Sequence, residues 1–210
     1  YKDDCGRWES IIKKLPEYMI GDGGAVKEWS SEELSDNNYH RHLSHLYPVF
    51  PGNEVTKKNN PRLFEAFYKS LKNRLIIGLK EQTGWSLAHM ANIYSRFSDG
   101  DGCMECLNIL CRSCLMNNLF TVHNDNRGMG PCIGNESIPP VQLDALMGIV
   151  SALQDMLVYS SGSELHIAEG LTDKLLHGFA GPFCVKGGGT ISAQWDFEKN
   201  KFEFQADGIK

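Results

Sequence analysis

The chain has 210 residues, 41% of them hydrophobic and 22% charged, with a formal net charge of −5. These are ordinary values for a globular protein of one domain or one and a half. No basic block stands out and no apolar run approaches about 20 residues, so neither nucleic acid nor a membrane is an expected partner. The first residue is Tyr1, without an initiator Met or a signal-peptide pattern, and the chain reads as the C-terminal part of something longer.

Trp8, Ile11, Ile12, Leu15 and Met19 recur at helical spacing and predict a helix over about residues 6–19, ended by the glycines of "GDGG". A long loop follows, through "EWSSEELSDNNYHRHLSHLYPVFPG". Loops of that length inside compact domains are usually functional. Pro61 opens the next helix at a favoured position, with Leu63, Phe67, Leu71 and Leu75 as its apolar stripe. "TGWSLAHMANIYSRFSDG" predicts a helix capped by Thr83 or Ser86, lined by Leu87, Met90, Ala91 and Tyr94, and ended by Gly100.

Cys103, Cys106, Cys111 and Cys114 form two CxxC pairs within "CMECLNILCRSC". A zinc ribbon needs roughly fifteen residues between such pairs to fold one back onto the metal, and only four separate these. The segment reads as a helix over about residues 102–116, with the cysteines on the broad face of Leu107 and Leu110, reduced and without metal. After the turn-rich "NDNRGMGPCIGNESIPP", a helix runs to about Tyr159. It is apolar almost all round and so is expected to be buried on most sides. Beyond residue 160, glycine is dense and apolar residues alternate with polar ones, as in strands joined by turns.

Two places carry candidate chemistry. The first is the run of His40, Arg41, His42 and His45. As metal ligands these histidines converge poorly on either a strand or a helix, and no Glu lies between them in the zincin manner. They are either capping and core histidines with satisfied hydrogen bonds, or a polar grip on a hydroxyl-rich ligand, since imidazole donates from one nitrogen and accepts at the other. Trp29, Tyr39 and Trp85 are aromatic candidates for stacking on a sugar face. The second is Asp144, one turn into the apolar helix among Val141, Leu143, Leu146 and Met147. It is either a carboxylate stabilised by the helix N-terminus or a general base facing a cleft. Glu28 and Glu136 are further acidic candidates in loops.

The stretch "LPEYMIGDGGAVKEWSSE…DNNYHRHLSHLYPVFPG" resembles glycoside hydrolase family 95, the inverting α-L-fucosidases. "SLKNRLIIGLKEQTGWSLAHMANIYSRFSDG" and "IPPVQLDALMGIVSALQDMLVYS" are similar to later parts of that family in the same order, as is the tail from "LHIAEG". The resemblance implies a mainly α fold: residues 1–160 as the C-terminal half of an (α/α)6 toroid, followed by a small β-sandwich-like module over 161–210. It implies a glycan substrate and no cofactor. Asp144 falls on the family's base, His40, Arg41, His42 and His45 on its sugar-binding run, Trp85 on its "TGWS", and Glu28 on its "EW" as a site-shaping residue. The general acid and the two asparagines that assist the base lie upstream in the family, so the N-terminal remainder of the enzyme is an expected partner. Where the family reads DGN, this chain has Asp144, Ala145 and Leu146. The alternatives are a degenerate member that binds sugar without cleaving it and, more remotely, a metal protein using the histidines.

Overall fold

The computed structural model describes residues 4–134, 139–161 and 164–209. Five helices come first: α1 (Cys5–Ile12), α2 (Pro61–Ile76), α3 (Gly84–Arg96), α4 (Gly100–Ser113) and α5 (Leu143–Leu157). They are followed by β1 (Val158–Ser161), β2 (Glu164–Ile167), β3 (His177–Cys184), β4 (Thr190–Asp196) and β5 (Lys201–Asp207). β1 and β2 form an antiparallel pair, and β3-β4-β5 a separate antiparallel sheet with β4 in the middle.

The helix starts obey local chemistry. Asn60 caps α2 by accepting from the Leu63 N–H at 3.1 Å, with Pro61 in the first turn. Thr83 and Ser86 form a reciprocal capping box on α3. Asp99 caps α4 through the Gly102 N–H at 2.8 Å. Gly100 is therefore the first residue of α4, not the terminator of α3, which ends at Arg96. The first helix is shorter than its apolar period suggests. It stops at Ile12 because Pro16 disfavours helical backbone at Leu15 and cannot donate to the ladder itself. The "GDGG" glycines lie apart from it, in a turn that closes the Ile20–Val26 bridge.

α3 is the centre of the molecule. Leu87, Ala88, Met90, Ala91 and Ile93 are all fully buried, as are Phe67 and Leu71 of α2 and Cys103, Cys106 and Leu110 of α4. Burial pushes the Cys103 thiol up to about 11 and holds Cys106 well above the usual thiol range, so these two behave as small apolar residues. Cys111 departs from the expected face and is only partly covered.

α5 crosses α3 closely because the facing residues are small. A Cβ placed on Gly148 would sit 2.8 Å from the Ala88 Cβ. Asn92 donates to the Gly148 carbonyl at 2.9 Å and Ser95 to the Ala152 carbonyl at 3.2 Å. At the far end Arg96 pairs with Asp155 at 3.0 Å. Among the described residues α5 is not buried on most sides, contrary to expectation. Only Ala145, Ala152 and Met156 are buried, whereas Leu143, Met147 and Val150 are 60%, 65% and 61% exposed. They recur at i, i+4 and i+7, so α5 carries a second apolar stripe that no described residue covers. α1 also has no buried residue, and Ile12 on it is 65% exposed.

In the larger sheet only β4 has a buried face: Ile191, Ala193 and Trp195 alternate inward, and β5 is exposed throughout. Trp195 donates from Nε1 to the Leu175 carbonyl at 2.8 Å. The segment before β3 is tied to α4 by Thr172, whose hydroxyl donates to Asp101 at 2.7 Å.

The α3–α5 crossing leaves no room for branching at position 148. Gly148→Val should lower folding stability by about 1–3 kcal/mol, the usual range for overpacking. Denaturant unfolding monitored by circular dichroism measures this, and an unchanged midpoint would contradict the close approach.

Candidate functional site

The histidine run sits in an irregular loop with one short 3-10 turn at Ser44–Leu46. Leu43 and Leu46 are buried and pin the loop to the helical core, while His40 and His42 face outward. The His42 N–H donates to His40 Nδ1 at 3.2 Å, and the two rings lie 5.2 Å apart at 33°. Asn37 starts this arrangement by accepting from the Tyr39 N–H at 3.0 Å with its side chain and from the His40 N–H at 2.9 Å with its carbonyl.

The loop is held from below by Arg74 of α2, which is 1% exposed. Its Nη1 donates to the His40 carbonyl, and its Nη2 pairs with Glu28 Oε2 at 3.0 Å. The same Glu28 oxygen accepts from the Asn37 N–H at 3.3 Å, and the Glu28 N–H donates to Asp36 at 2.8 Å. Glu28 therefore shapes the loop from behind. Between these groups lies a cavity of about 220 Å³, lined by Glu28, Asp36, Asn38, His45, Ser70 and Arg74 among others. Arg41 and His40 line a separate shallow recess with Tyr39 and Glu81.

His45 turns inward and hydrogen-bonds the Ser70 hydroxyl through Nε2 at 2.9 Å. Burial, with Arg74 and His89 beside it, pushes its pKa down to about 3. His89 of α3 stacks on Trp85, with centroids 5.0 Å apart at 17°, and hydrogen-bonds the Phe50 backbone. Its pKa is pushed down to about 4, chiefly by burial. His42 is also lowered, by desolvation and by its neighbours Arg41, His40 and His123. Five of the seven histidines thus occupy one region: His40, His42, His45, His89 and His123. At neutral pH His45 and His89 are uncharged, so each ring offers one donor and one acceptor. Among the described residues no three His, Cys, Asp or Glu side chains form a group able to hold a metal ion.

The starts of α3 and α5 meet this region through the backbone. Gly84 donates to the His123 carbonyl at 3.2 Å, and His123 donates to the Pro140 carbonyl at 2.8 Å. The Trp85 N–H donates to Gln142 Oε1 at 2.7 Å, and Thr121 donates to the Gln142 carbonyl. Gly84 is required here, because a Cβ would lie 2.5 Å from the Val122 carbonyl. Asp144 follows two residues after Gln142, in the first turn of α5. Its carboxylate is exposed and accepts only from the Ala145 N–H at 3.0 Å among the described residues. That corrects the expectation of a buried carboxylate with polar partners: among the described residues nothing packs over the first turn of α5. Ala145, beside it, is fully buried against the start of α3.

The structure therefore joins His40, His42, His45 and Trp85, with Glu28 reaching them through Arg74. It leaves Asp144 at the edge, attached through Gln142 and unbonded to any histidine. Glu136 lies outside the described residues. Three residues of the region were missed from sequence. Arg74 had a signal, as a charge at i+3 and i+7 from Leu71 and Phe67 on an apolar stripe. His89 had one too, at i+4 from Trp85. His123 had none, since only the tertiary fold brings it to His42.

A model of the glycosyl hydrolase family 95 catalytic domain matches residues 2–157. The chain is 29% identical over 203 residues to "Alpha-L-fucosidase 2" of Arabidopsis thaliana, covering 91% of this chain and 22% of that protein. It is 26% identical over 211 residues to "Probable alpha-fucosidase A" of Aspergillus niger, covering 92% and 25% respectively. Its identity to the protein of the same name in Aspergillus oryzae is 24% over 208 residues, covering 90% and 28%. The chain thus spans about a quarter of the length of each of these relatives.

Removing the Arg74 charge strands Glu28 and frees the His40 carbonyl. Arg74→Met should cost about 3 kcal/mol or more, the scale for breaking a buried pair. Adding Glu28→Gln should recover part of that loss in a double-mutant cycle. A double variant whose loss equals the sum of the two single losses would show that the two side chains do not communicate.

The depressed histidines set an acid limit. Their folded pKa values lie below the ordinary 6.5, so between about pH 6.5 and 4 the unfolded chain binds protons that the folded chain does not. Stability is fully present above that window and is lost as pH falls through it. His45→Gln should flatten the fall in thermal midpoint between pH 7 and pH 5. A slope identical to that of the unsubstituted protein would place His45 outside the buried network.

Proposed function

The chain belongs to glycosyl hydrolase family 95, and from that premise we propose that the protein hydrolyses terminal α-L-fucosyl, or closely related α-L-sugar, residues of glycans with inversion. The observation that carries this reading is the gathering of the exposed His40 and His42 rings and a partly exposed Trp85 on one loop-and-helix-end surface, backed by the buried, uncharged His45 and His89. Such a surface suits a ligand that is all hydroxyls on one side and C–H on the other. His40, His42 and Arg41 are the groups proposed to touch the sugar, with Trp85 as the stacking face. His45 and Glu28 support them from behind.

An inverting hydrolase places an acid and a base about 6.5–9.5 Å apart, with the attacking water between base and sugar. Asp144 is the proposed base. Its exposure at the start of α5, one short step from Trp85, leaves the carboxylate free to accept a proton from water. The acid belongs to the N-terminal remainder, which is also the proposed cover for α1 and for the apolar stripe of α5. Residues 1–160 are then the C-terminal half of an (α/α)6 toroid, and 161–210 a C-terminal β module. Exposed apolar stripes of this kind support that arrangement, since they are rare on a finished monomer.

The test is turnover of an aryl α-L-fucoside by the full-length protein, with the anomer of the released sugar read by proton NMR. Asp144→Asn should lower kcat by about 10²-fold or more, the usual scale for losing acid–base help, with sugar affinity retained. His42→Ala should mainly raise KM, by the equivalent of about 1–3 kcal/mol for a lost buried hydrogen bond. The 210-residue chain alone should be inactive. Binding of L-fucose without any turnover by the full-length protein would replace the hydrolase with a sugar-binding relative, and turnover unaffected by Asp144→Asn would remove Asp144 as base.

A further inference from the structure

Cys114 and Cys132 are far apart in the sequence pattern but adjacent in space. Cys114 is the residue that closes α4 and is fully buried; Cys132 lies in the irregular segment before residue 134 and is 4% exposed. Their sulfurs are 3.9 Å apart, in van der Waals contact and not bonded. The backbone on both sides is fixed. The Cys114 N–H donates to the Leu110 carbonyl at 2.7 Å, and the Cys114 carbonyl accepts from the Val122 N–H at 2.9 Å. On the other side the Ile133 N–H donates to the Gln82 carbonyl and the Asp125 N–H to the Ile133 carbonyl, each at 2.9 Å. The Asn126 N–H donates to the Ser113 carbonyl at 2.9 Å, which clips the intervening loop to the end of α4 beside Cys114. Cys103, by contrast, contacts the Ser95 hydroxyl at 3.4 Å.

We infer that Cys114 and Cys132 form a redox-modification site, a dithiol that a peroxide converts into an internal disulfide stapling the end of α4 to the segment that follows His123. The step balances with hydrogen peroxide as the oxidant. The Cys132 sulfur attacks one peroxide oxygen, the O–O bond breaks, and one water leaves as Cys132 becomes a sulfenic acid. The Cys114 sulfur then attacks the Cys132 sulfur, displacing the sulfenic oxygen as a second water and forming the S–S bond. The two sulfurs together give up two electrons, and their two protons leave in the two waters. Cys132 is the expected first nucleophile. It accepts from the Cys114 thiol at 3.9 Å, which lowers its pKa, whereas Cys114, as the buried donor, is held well above the usual thiol range.

The staple has a local consequence. The Cys114 sulfur also contacts the His123 carbonyl at 3.9 Å. The His123 backbone bridges the start of α3 to the segment before α5, and its ring lies near enough to His42 to lower it. Closing the bond fixes both ends of the loop between residues 114 and 132, which carries that histidine. The site is independent of the proposed hydrolase activity, because it needs only the two thiols and an oxidant.

The experiment is thiol mapping of the full-length protein. It is treated natively with hydrogen peroxide, then quenched in acid, denatured and alkylated, and digested without reduction. The expected result is joint loss of alkylation at Cys114 and Cys132, together with a cross-linked peptide pair two hydrogens lighter than the sum of its parts. Cys103, whose sulfur contacts the Ser95 hydroxyl, and Cys106 should stay alkylatable, because the 3.9 Å sulfur contact belongs to Cys114 and Cys132. Cys114→Ser should leave Cys132 as a sulfenic acid that dimedone traps. Two results would overturn the site: Cys114 and Cys132 both fully alkylated after the exposed Cys184 is consumed, or Cys132 linked to any other cysteine. Mapping of the unsubstituted protein decides between them even if the serine variant does not fold.

Discussion

A guanidinium sealed from water must find negative charge and acceptors, and Arg74 finds both in the loops it supports. It sits on the apolar stripe of α2, and its two partners come from residues 28 and 40, far apart along the chain. The irregular stretch from Glu28 to His42 is thereby tied to a helix of the buried core. The exposed rings of His40 and His42 could not otherwise hold one orientation, because the buried anchors of their loop, Leu43, Leu46 and Val49, all follow them in the chain. Site geometry here depends on a charge inside the core more than on apolar contacts.

α3 performs the complementary task. Its small residues, Ala88 above all, let α5 approach until Gly148 touches it. Its capped N-terminus presents Trp85 and, one turn on, His89. Because the same helix makes the core and carries the aromatic face, the surface near the histidines inherits the stiffness of the packing behind it. Uncharged imidazoles follow from that burial, and they suit hydroxyl recognition better than cations would.

Much of this was legible in residue order. Pro61, and Thr83 with Ser86, mark helix starts through chemistry that depends on neighbours alone, whereas the Asp99 cap was missed because Gly100 reads as a helix terminator. β4 was legible from alternation, since Ile191, Ala193 and Trp195 share one buried face; β5 was less so, because both of its faces are exposed. The first helix was overextended because Leu15 and Met19 keep the apolar period past Pro16. α5 was recognised as a helix, but its burial was misjudged, because apolar composition records what a face must meet and not whether the partner is in the same segment. His123 and the Cys114–Cys132 contact arise from long-range chain return, for which no spacing rule exists. The exposure of Asp144 was hidden for the same reason: its environment is set by what packs over the start of α5.

The central claim is that the histidine surface recognises a sugar. Imidazole NMR of the full-length protein during titration with L-fucose tests it most directly, since His166 and His177 lie on β2 and β3 as internal controls. The account predicts saturable shifts of the His40 and His42 ring signals, with His166 and His177 unmoved. Signals that all stay fixed, or that drift together without saturation, would contradict it.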